Sequence, residues 1–140
     1  IKYDAVFNLF TSFGYFENDI DDILVLKNIH DGLNENGLLV LDFLNVINVK
    51  KKLVKKEIKI IDNITFNLER EIKDGFIIKH INFKDKGVNH SYSERVKYLD
   101  LEKFKSYFIE AGLKINHIFG DYHLTKFNPV TSERLIFVVS

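Results

Sequence analysis

Residues 3–16 read YDAVFNLFTSFGYF, and this stretch sets the fold of the chain. Its first part, residues 3–10, is a nearly continuous apolar run, which is typical of a strand buried on both faces in a parallel sheet. Residues 11–16 interrupt the run with hydroxyl groups, aromatic rings and a glycine, which predicts a loop. The stretch therefore predicts a buried strand and the loop that leaves its carboxyl end.

A helix is predicted directly after this loop. Asp19 is suited to cap it, and Asp21 and Asp22 would join Asp19 in the first turn, where the helix dipole favours acidic groups. Six apolar residues follow at helical spacing: Ile20, Ile23, Leu24, Leu26, Ile29 and Leu33. The pattern predicts a helix with one apolar face towards a core.

A turn and a second buried strand follow the helix. Asn36-Gly37 has the residue types of a turn, and residues 38–43 read LLVLDF, a second buried strand. Strand, loop, helix, turn and strand make a βαβ unit over residues 1–45, for which a right-handed crossover is expected.

Residues 46–99 change to an alternating pattern that predicts an antiparallel β-meander. Residues 64–72 place apolar and polar side chains on opposite faces, Asp74-Gly75 is a strong hairpin signal and Lys86-Gly87 a weaker one. The predicted strands lie near 55–61, 64–73, 76–84 and 90–99.

Residues 100–140 return to a helix and two strands. Asp100 is the predicted N-cap and Gly112 the predicted stop of a helix. Its apolar stripe consists of Leu101, Phe104, Phe108 and Ala111. Residues 114–120 and 132–139 are the predicted strands, with Asn128-Pro129 in the loop between them.

Composition excludes several classes of protein. The 140 residues, 46% of them hydrophobic, suffice for the core of about one domain. Because 20 basic residues balance 20 acidic ones, bulk charge does not favour nucleic acid or an anionic membrane as a partner. The absence of cysteine excludes disulfides, thiolate metal sites and a cysteine nucleophile. No apolar run approaches the ~20 residues of a membrane span, and a cytoplasmic location is expected.

The chain contains no methionine and begins Ile1-Lys2. Because Ile1 leads directly into the apolar run, we expect the sequence to be a piece of a longer protein. Lys, Ile and Asn are abundant and have codons rich in A and T, which favours a bacterial origin.

In order and spacing, several blocks resemble the carboxy-terminal half of a class I S-adenosylmethionine-dependent methyltransferase. The blocks are Tyr3-Asp4-Ala5-Val6, residues 10–16 (FTSFGYF), the helix over 22–33, residues 36–43 (NGLLVLDF), Ala111-Gly112-Leu113 and Ser132-Glu133-Arg134. The resemblance implies an α/β fold with a partial Rossmann-like sheet, strand order 4-5-7-6 with the last strand antiparallel, and an inserted antiparallel meander. The Gly-rich turn and the ribose-binding acid of that family have no counterpart here.

The resemblance also implies a cofactor and a site. S-adenosylmethionine would bind beyond the carboxyl ends of the strands. The family's cofactor contacts fall on Asn8, Leu9 and Phe10. A small-molecule acceptor would meet Thr11, Ser12, Phe13, Tyr15, Asp42, Asn45 and His123. Asn45 is equally well explained as a strand terminator, and His123 as a surface histidine. Methyl transfer mainly needs positioning and desolvation, so no fixed catalytic residue is expected.

The remaining polar residues give weaker signals. The histidines lack metal-ligand spacing, so no metal site is predicted. Lys50-Lys51-Lys52 and Lys55-Lys56 lack interleaved aromatics, which favours a solvated linker or edge strand over an RNA contact. Two alternative functions stay open: a non-catalytic α+β binding or assembly module, and a nucleic-acid methyltransferase. A homodimer could form through the meander or through strand 3–10.

Overall fold

The computed structural model describes all 140 residues and divides the chain into two units. The first unit contains residues 1–49 and 99–140, and the second contains residues 50–98. In chain order the elements are β1 (Tyr3–Asn8), α1 (Asp19–Gly32), β2 (Leu33–Leu44), α2 (Val46–Lys52), β3 (Lys56–Ile61), β4 (Ile64–Lys73), β5 (Phe76–Asp85), β6 (Val88–Lys97), α3 (Leu101–Ala111), β7 (Ile115–Phe119) and β8 (Arg134–Val139). No helix is long and apolar enough to cross a membrane.

The first unit contains a mixed sheet with the strand order β1-β2-β8-β7. β1 runs parallel to β2, which confirms the predicted βαβ unit. β8 lies between β2 and β7 and is antiparallel to both. The unit is therefore an α/β structure in which the strand that comes last in the sequence occupies an inner position.

β1 differs from its sequence prediction. It was expected to be buried on both faces, but Tyr3 is 56% and Phe7 63% exposed. β1 is an edge strand that pairs with β2 alone, so within this chain nothing covers it on the other side. Its apolar sequence therefore leaves large hydrophobic side chains at the sheet edge.

Asn36-Gly37 forms an irregularity inside β2 instead of the predicted turn before it. The register passes from Tyr3 opposite Leu33 directly to Ala5 opposite Leu38, so β2 carries extra residues at this point. A Cβ on Gly37 would lie 3.0 Å from the carbonyl oxygen of Tyr3. The glycine is needed here because the two backbones approach closely.

Asp19 is the first residue of α1 and not its cap, because Asn18 occupies the N-cap position. The carboxylate of Asp19 instead accepts a 2.6 Å hydrogen bond from the hydroxyl of Tyr107 on α3. Burial of that phenol, followed by its contact with Asp19, raises the pKa of Tyr107. Asp19 therefore connects the two helices.

The core of the first unit lies between the sheet and helices α1 and α3. One face of β2 and β8 contributes Leu39, Leu41, Phe43, Leu135, Phe137 and Val139, all buried. Phe104 of α3 is fully buried against them, with its ring centroid 5.1 Å from Phe43 and 5.0 Å from Phe137. This aromatic cluster fixes α3 on the sheet.

α3 has the ends that the sequence predicts. The side chain of Asp100 accepts a 2.9 Å hydrogen bond from the backbone N–H of Lys103, and Gly112 is left-handed with φ 78°. Both features satisfy backbone groups that a helix end leaves unpaired.

Asp100→Ala is expected to lower the free energy of unfolding by about 1 kcal/mol, because it removes this capping hydrogen bond. Chemical denaturation measures the loss. Asp100→Asn retains a capping oxygen and should lose much less, so equal losses from the two variants would contradict a capping role.

The second unit is a four-stranded antiparallel sheet with the order β3-β4-β5-β6. The ends of the four predicted strands all agree with the observed ones to within two residues. Each hairpin turn has two residues with positive φ, as type I′ turns require. These turns are Asp62-Asn63, Asp74-Gly75 and Lys86-Gly87.

The lysine run was predicted to be a linker or an edge strand, and this is wrong for its first part. Lys50, Lys51 and Lys52 form the last turn of α2, where the helix dipole favours cations. Lys56 begins β3, which is an edge strand. This helix has only seven residues, too few for its helical spacing to be recognised in the sequence.

Candidate functional site

The candidate site lies where β1 and β2 end. Because these strands are parallel, their carboxyl ends meet at one edge of the sheet. β8 runs in the opposite direction, and its first residue, Arg134, pairs with Leu44 at the end of β2. The edge therefore collects residues from the start of one strand and the ends of two others, as ligand sites of open α/β sheets do.

Asp42 is the centre of a hydrogen-bonded cluster at this edge. Its carboxylate is 1% exposed. One oxygen, Oδ1, accepts from Nε of Arg134 at 2.8 Å. The other, Oδ2, accepts from the hydroxyl of Tyr122 and from the backbone N–H of Phe10, both at 2.9 Å. The buried charge is thus compensated by a cation and two further donors.

The turn after β1 is held in a strained conformation by the same cluster. Phe10 and Thr11 both have φ of 58°, which is unusual for residues with a Cβ and especially for a β-branched one. Such residues cost about 1–3 kcal/mol each and persist only where contacts enforce them. Here the carbonyl of Asp42 accepts from the N–H of Thr11 at 3.0 Å, and Arg134 donates to the Thr11 hydroxyl at 3.1 Å.

Two aromatic side chains, Phe10 and Tyr122, lie on the solvent-exposed side of this cluster. Phe10 is 75% and Tyr122 60% exposed, and their ring centroids lie 6.5 Å apart in an edge-to-face arrangement. Desolvation, followed by the hydrogen bond to Asp42, raises the pKa of Tyr122, so the phenol stays protonated and donates at neutral pH. Large apolar side chains that are both exposed and fixed in place are typical of a binding surface.

Asn8, the last residue of β1, contributes a buried polar atom without a partner. Its side-chain oxygen Oδ1 accepts no hydrogen bond within the chain. Leu9, which follows, is half-buried, and its carbonyl accepts from the Ser12 hydroxyl at 2.6 Å. An unpaired buried oxygen at a strand end is a natural acceptor for an N–H group of a ligand.

The side chains of Asn45 and Phe13 contact other parts of the chain and hold them in place. The amide of Asn45 is buried and donates to the carbonyls of Pro129 and Ser132 at 2.9 and 2.8 Å. Its oxygen accepts from the N–H of Ile47 in the first turn of α2, which favours strand termination over ligand binding. Phe13 is 4% exposed, and its ring centroid lies 5.8 Å from that of Phe104.

Tyr15 and His123 are exposed and lie outside the cluster. Tyr15 is 56% exposed, and no contact joins it to Asp42. His123 is in the loop after β7, where its backbone N–H donates to Asp121 at 2.9 Å. Both remain predicted acceptor contacts, as does Ser12, whereas Thr11 is buried in the Asp42 cluster.

Tyr122 and Arg134 are the residues that the sequence predictions of site contacts left out. A signal for Arg134 existed: Asp42 is the one charged residue in the buried strand LLVLDF, and a buried carboxylate requires a cationic partner. Arginine is scarce in this chain, and Arg134 opens a neighbouring strand. Nothing in the sequence indicates that Tyr122 reaches Asp42, since 80 positions separate them.

The sequence matches no protein-family model and no curated protein. Among solved structures, the chain is similar to a S-adenosylmethionine-dependent methyltransferase from Clostridium acetobutylicum, with TM-score 0.84, 19% identity and coverage of 99% of this chain and 58% of that one. It is also similar to the CcbJ methyltransferase from Streptomyces caelestis, with TM-score 0.82, 16% identity and coverage of 99% of this chain and 57% of that one. A third similar structure is an amino pentose methyltransferase from Micromonospora echinaspora, solved with S-adenosylmethionine bound. Its TM-score is 0.63 and its identity 15%, with coverage of 99% of this chain and 58% of that one.

These similarities establish the fold. The chain has the α/β fold of S-adenosylmethionine-dependent methyltransferases, as the resemblance in its sequence implied. It spans less than two thirds of the length of these solved structures.

Proposed function

We propose that this chain takes part in S-adenosylmethionine-dependent methyl transfer to a small-molecule acceptor, as the carboxy-terminal part of the enzyme. In this proposal β1, β2, β7 and β8 are strands 4, 5, 6 and 7 of the methyltransferase sheet, which corresponds to the order 4-5-7-6. The fold, and the cofactor and substrate named for the similar structures, support the proposal.

The observation that carries the proposal is the strained turn at the end of β1. Backbone strain of this kind clusters at active sites, because the surrounding contacts must be strong enough to enforce it. The Asp42 cluster enforces it here through five hydrogen bonds to or from Asp42 and Thr11.

Asn8, Leu9 and Phe10 would hold the cofactor, and the unpaired Oδ1 of Asn8 fits a ligand that presents an N–H donor. When bound, S-adenosylmethionine supplies a methyl group already activated by its sulfonium sulfur. The chain's own contribution is to orient the acceptor and exclude water. Phe10 and Tyr122 offer apolar surface for this, and Ser12, Tyr15 and His123 are proposed acceptor contacts.

Thr11, Phe13, Asp42 and Asn45 were predicted to touch the acceptor, and we now propose that they position the site. Their side chains are buried and engaged with other parts of the chain. An acceptor with an amine or hydroxyl nucleophile must also lose a proton, for which exposed His123 is a candidate base.

Calorimetry with S-adenosylhomocysteine tests the proposal. We expect saturable binding when the chain is joined to the residues that precede it in the complete protein. Asn8→Ala should weaken this binding by about ten-fold, because the ligand loses a hydrogen-bond acceptor. Asn28→Ala, an exposed position on α1, serves as the matched control.

Absence of heat at millimolar ligand in the complete protein would contradict methyl transfer. Micromolar binding by the 140-residue chain alone would contradict the proposal that other residues complete the cofactor site.

A non-catalytic assembly module is the second candidate. The exposed edge of β1 favours it, because an unpaired strand edge with apolar side chains such as Phe7 can add a strand from another chain. Light scattering distinguishes the two: a dimer that Phe7→Lys dissociates, together with no cofactor binding, would support assembly.

A further inference from the structure

Uncharged polar side chains line a cavity of about 550 Å³ on the sheet of the second unit. Asn67 of β4, Asn82 of β5 and Ser91 of β6 lie in register across three neighbouring strands, and so on one face. The rest of the lining consists of Asn63, Thr65, Lys84, Asn89 and two rings, Phe83 and His90. The volume lies in the range of small-molecule sites, roughly 300–1,000 Å³.

The row Asn67–Asn82–Ser91 has unused hydrogen-bonding capacity. Asn67 and Asn82 are directly paired, yet neither side chain makes a hydrogen bond within the chain, and the same holds for Ser91. Asparagine is depleted in strands, so the row lowers the intrinsic stability of the sheet without gaining an internal hydrogen bond. Each amide offers donors and an acceptor, and the hydroxyl offers both.

The charge of the lining argues against anionic ligands and nucleic acid. An anionic group would require several cations, and Lys84 is the only lysine or arginine in the lining. A single-stranded nucleic acid would also require a positively charged groove along its backbone, which one lysine does not provide. Phe83 and His90 do line the cavity, but they belong to the neighbouring register row, where their rings stack on each other with centroids 4.8 Å apart.

We propose that this cavity binds a neutral polyhydroxylated ligand, a saccharide unit, through Asn67, Asn82 and Ser91. Sugar hydroxyls both donate and accept, as the amides and the hydroxyl of the row do, and a six-membered ring can reach groups on adjacent strands about 4.8 Å apart. The site is independent of the proposed methyl transfer, because it consists of residues of the second unit alone.

Nitrogen-15 NMR of the full chain tests this proposal directly. The sequence contains 13 asparagines and no glutamine, so every side-chain carboxamide signal reports an asparagine. Titration with methyl β-D-glucopyranoside, methyl β-D-galactopyranoside and N-acetylglucosamine should give saturable shifts at Asn67 and Asn82 with at least one sugar. Asn82→Ala should weaken binding about five- to ten-fold, and the exposed control Asn28→Ala should leave it unchanged.

Ser91→Ala provides a second, smaller change that preserves the fold and should also weaken binding. The proposal is overturned if none of the three sugars gives saturable shifts at millimolar concentration, or if both variants bind as the parent chain does. Shifts at these amides with a uridine dinucleotide or inorganic phosphate, and none with the sugars, would overturn it as well.

Discussion

Arg134→Met is expected to lower the free energy of unfolding by about 3–5 kcal/mol, because it leaves the buried carboxylate of Asp42 without its cation. Two donors, the Tyr122 hydroxyl and the Phe10 N–H, would remain on Asp42. They cannot neutralise its charge. Guanidinium denaturation followed by circular dichroism measures the loss.

Arg70→Met is the matched control for this prediction. Arg70 is also 21% exposed and also lies 2.8 Å from its carboxylate partner, but that partner, Glu57, is 33% exposed where Asp42 is 1% exposed. Water can solvate Glu57 after the substitution, so a much smaller loss than for Arg134→Met is expected. Equal losses from the two variants would contradict the claim that the Arg134–Asp42 pair stabilises the fold more strongly because Asp42 is buried.

The second large effect is expected for Phe104→Ala, which should lower the free energy of unfolding by about 3–5 kcal/mol. Phe104 is fully buried, and four phenylalanine rings surround it at centroid distances of 5.0–5.9 Å. The substitution would leave a cavity between α3 and the sheet that rigid strands cannot close. Chemical denaturation again gives the loss.

Phe7→Ala removes the same ring from the exposed edge strand and is the control for Phe104→Ala. Because Phe7 is 63% exposed, less than about 1 kcal/mol should be lost. A loss from Phe104→Ala as small as that from Phe7→Ala would contradict the placement of Phe104 at the centre of the core.

Local patterns predicted the elements whose signals lie within a few residues. Asp100 and Gly112 delimit α3 as expected, and the type I′ turn at Asp74-Gly75 joins two strands as expected. Capping and turn preferences act through neighbouring backbone groups, so they can be recognised in the sequence alone.

Features that depend on distant residues could not be predicted in this way. Asn36-Gly37 has turn chemistry, but pairing with β1 draws it into an irregular strand. The apolar sequence of β1 indicates burial, yet exposure depends on what lies beside the strand. For the site, the sequence placed Asp42 near the end of a strand, where the structure also has it. Nothing in the sequence indicated that Tyr122 would reach Asp42.

The inner position of β8 also has a consequence for biosynthesis. β1, β2 and β7 precede β8 in the sequence, so they leave the ribosome before the strand that must separate β2 from β7. Until then, β2 and β7 each present an open edge and the nascent first unit cannot close its sheet. The second unit, whose strands pair only with their sequence neighbours, can form in the meantime. We therefore expect the second unit to form before the first unit can complete its sheet.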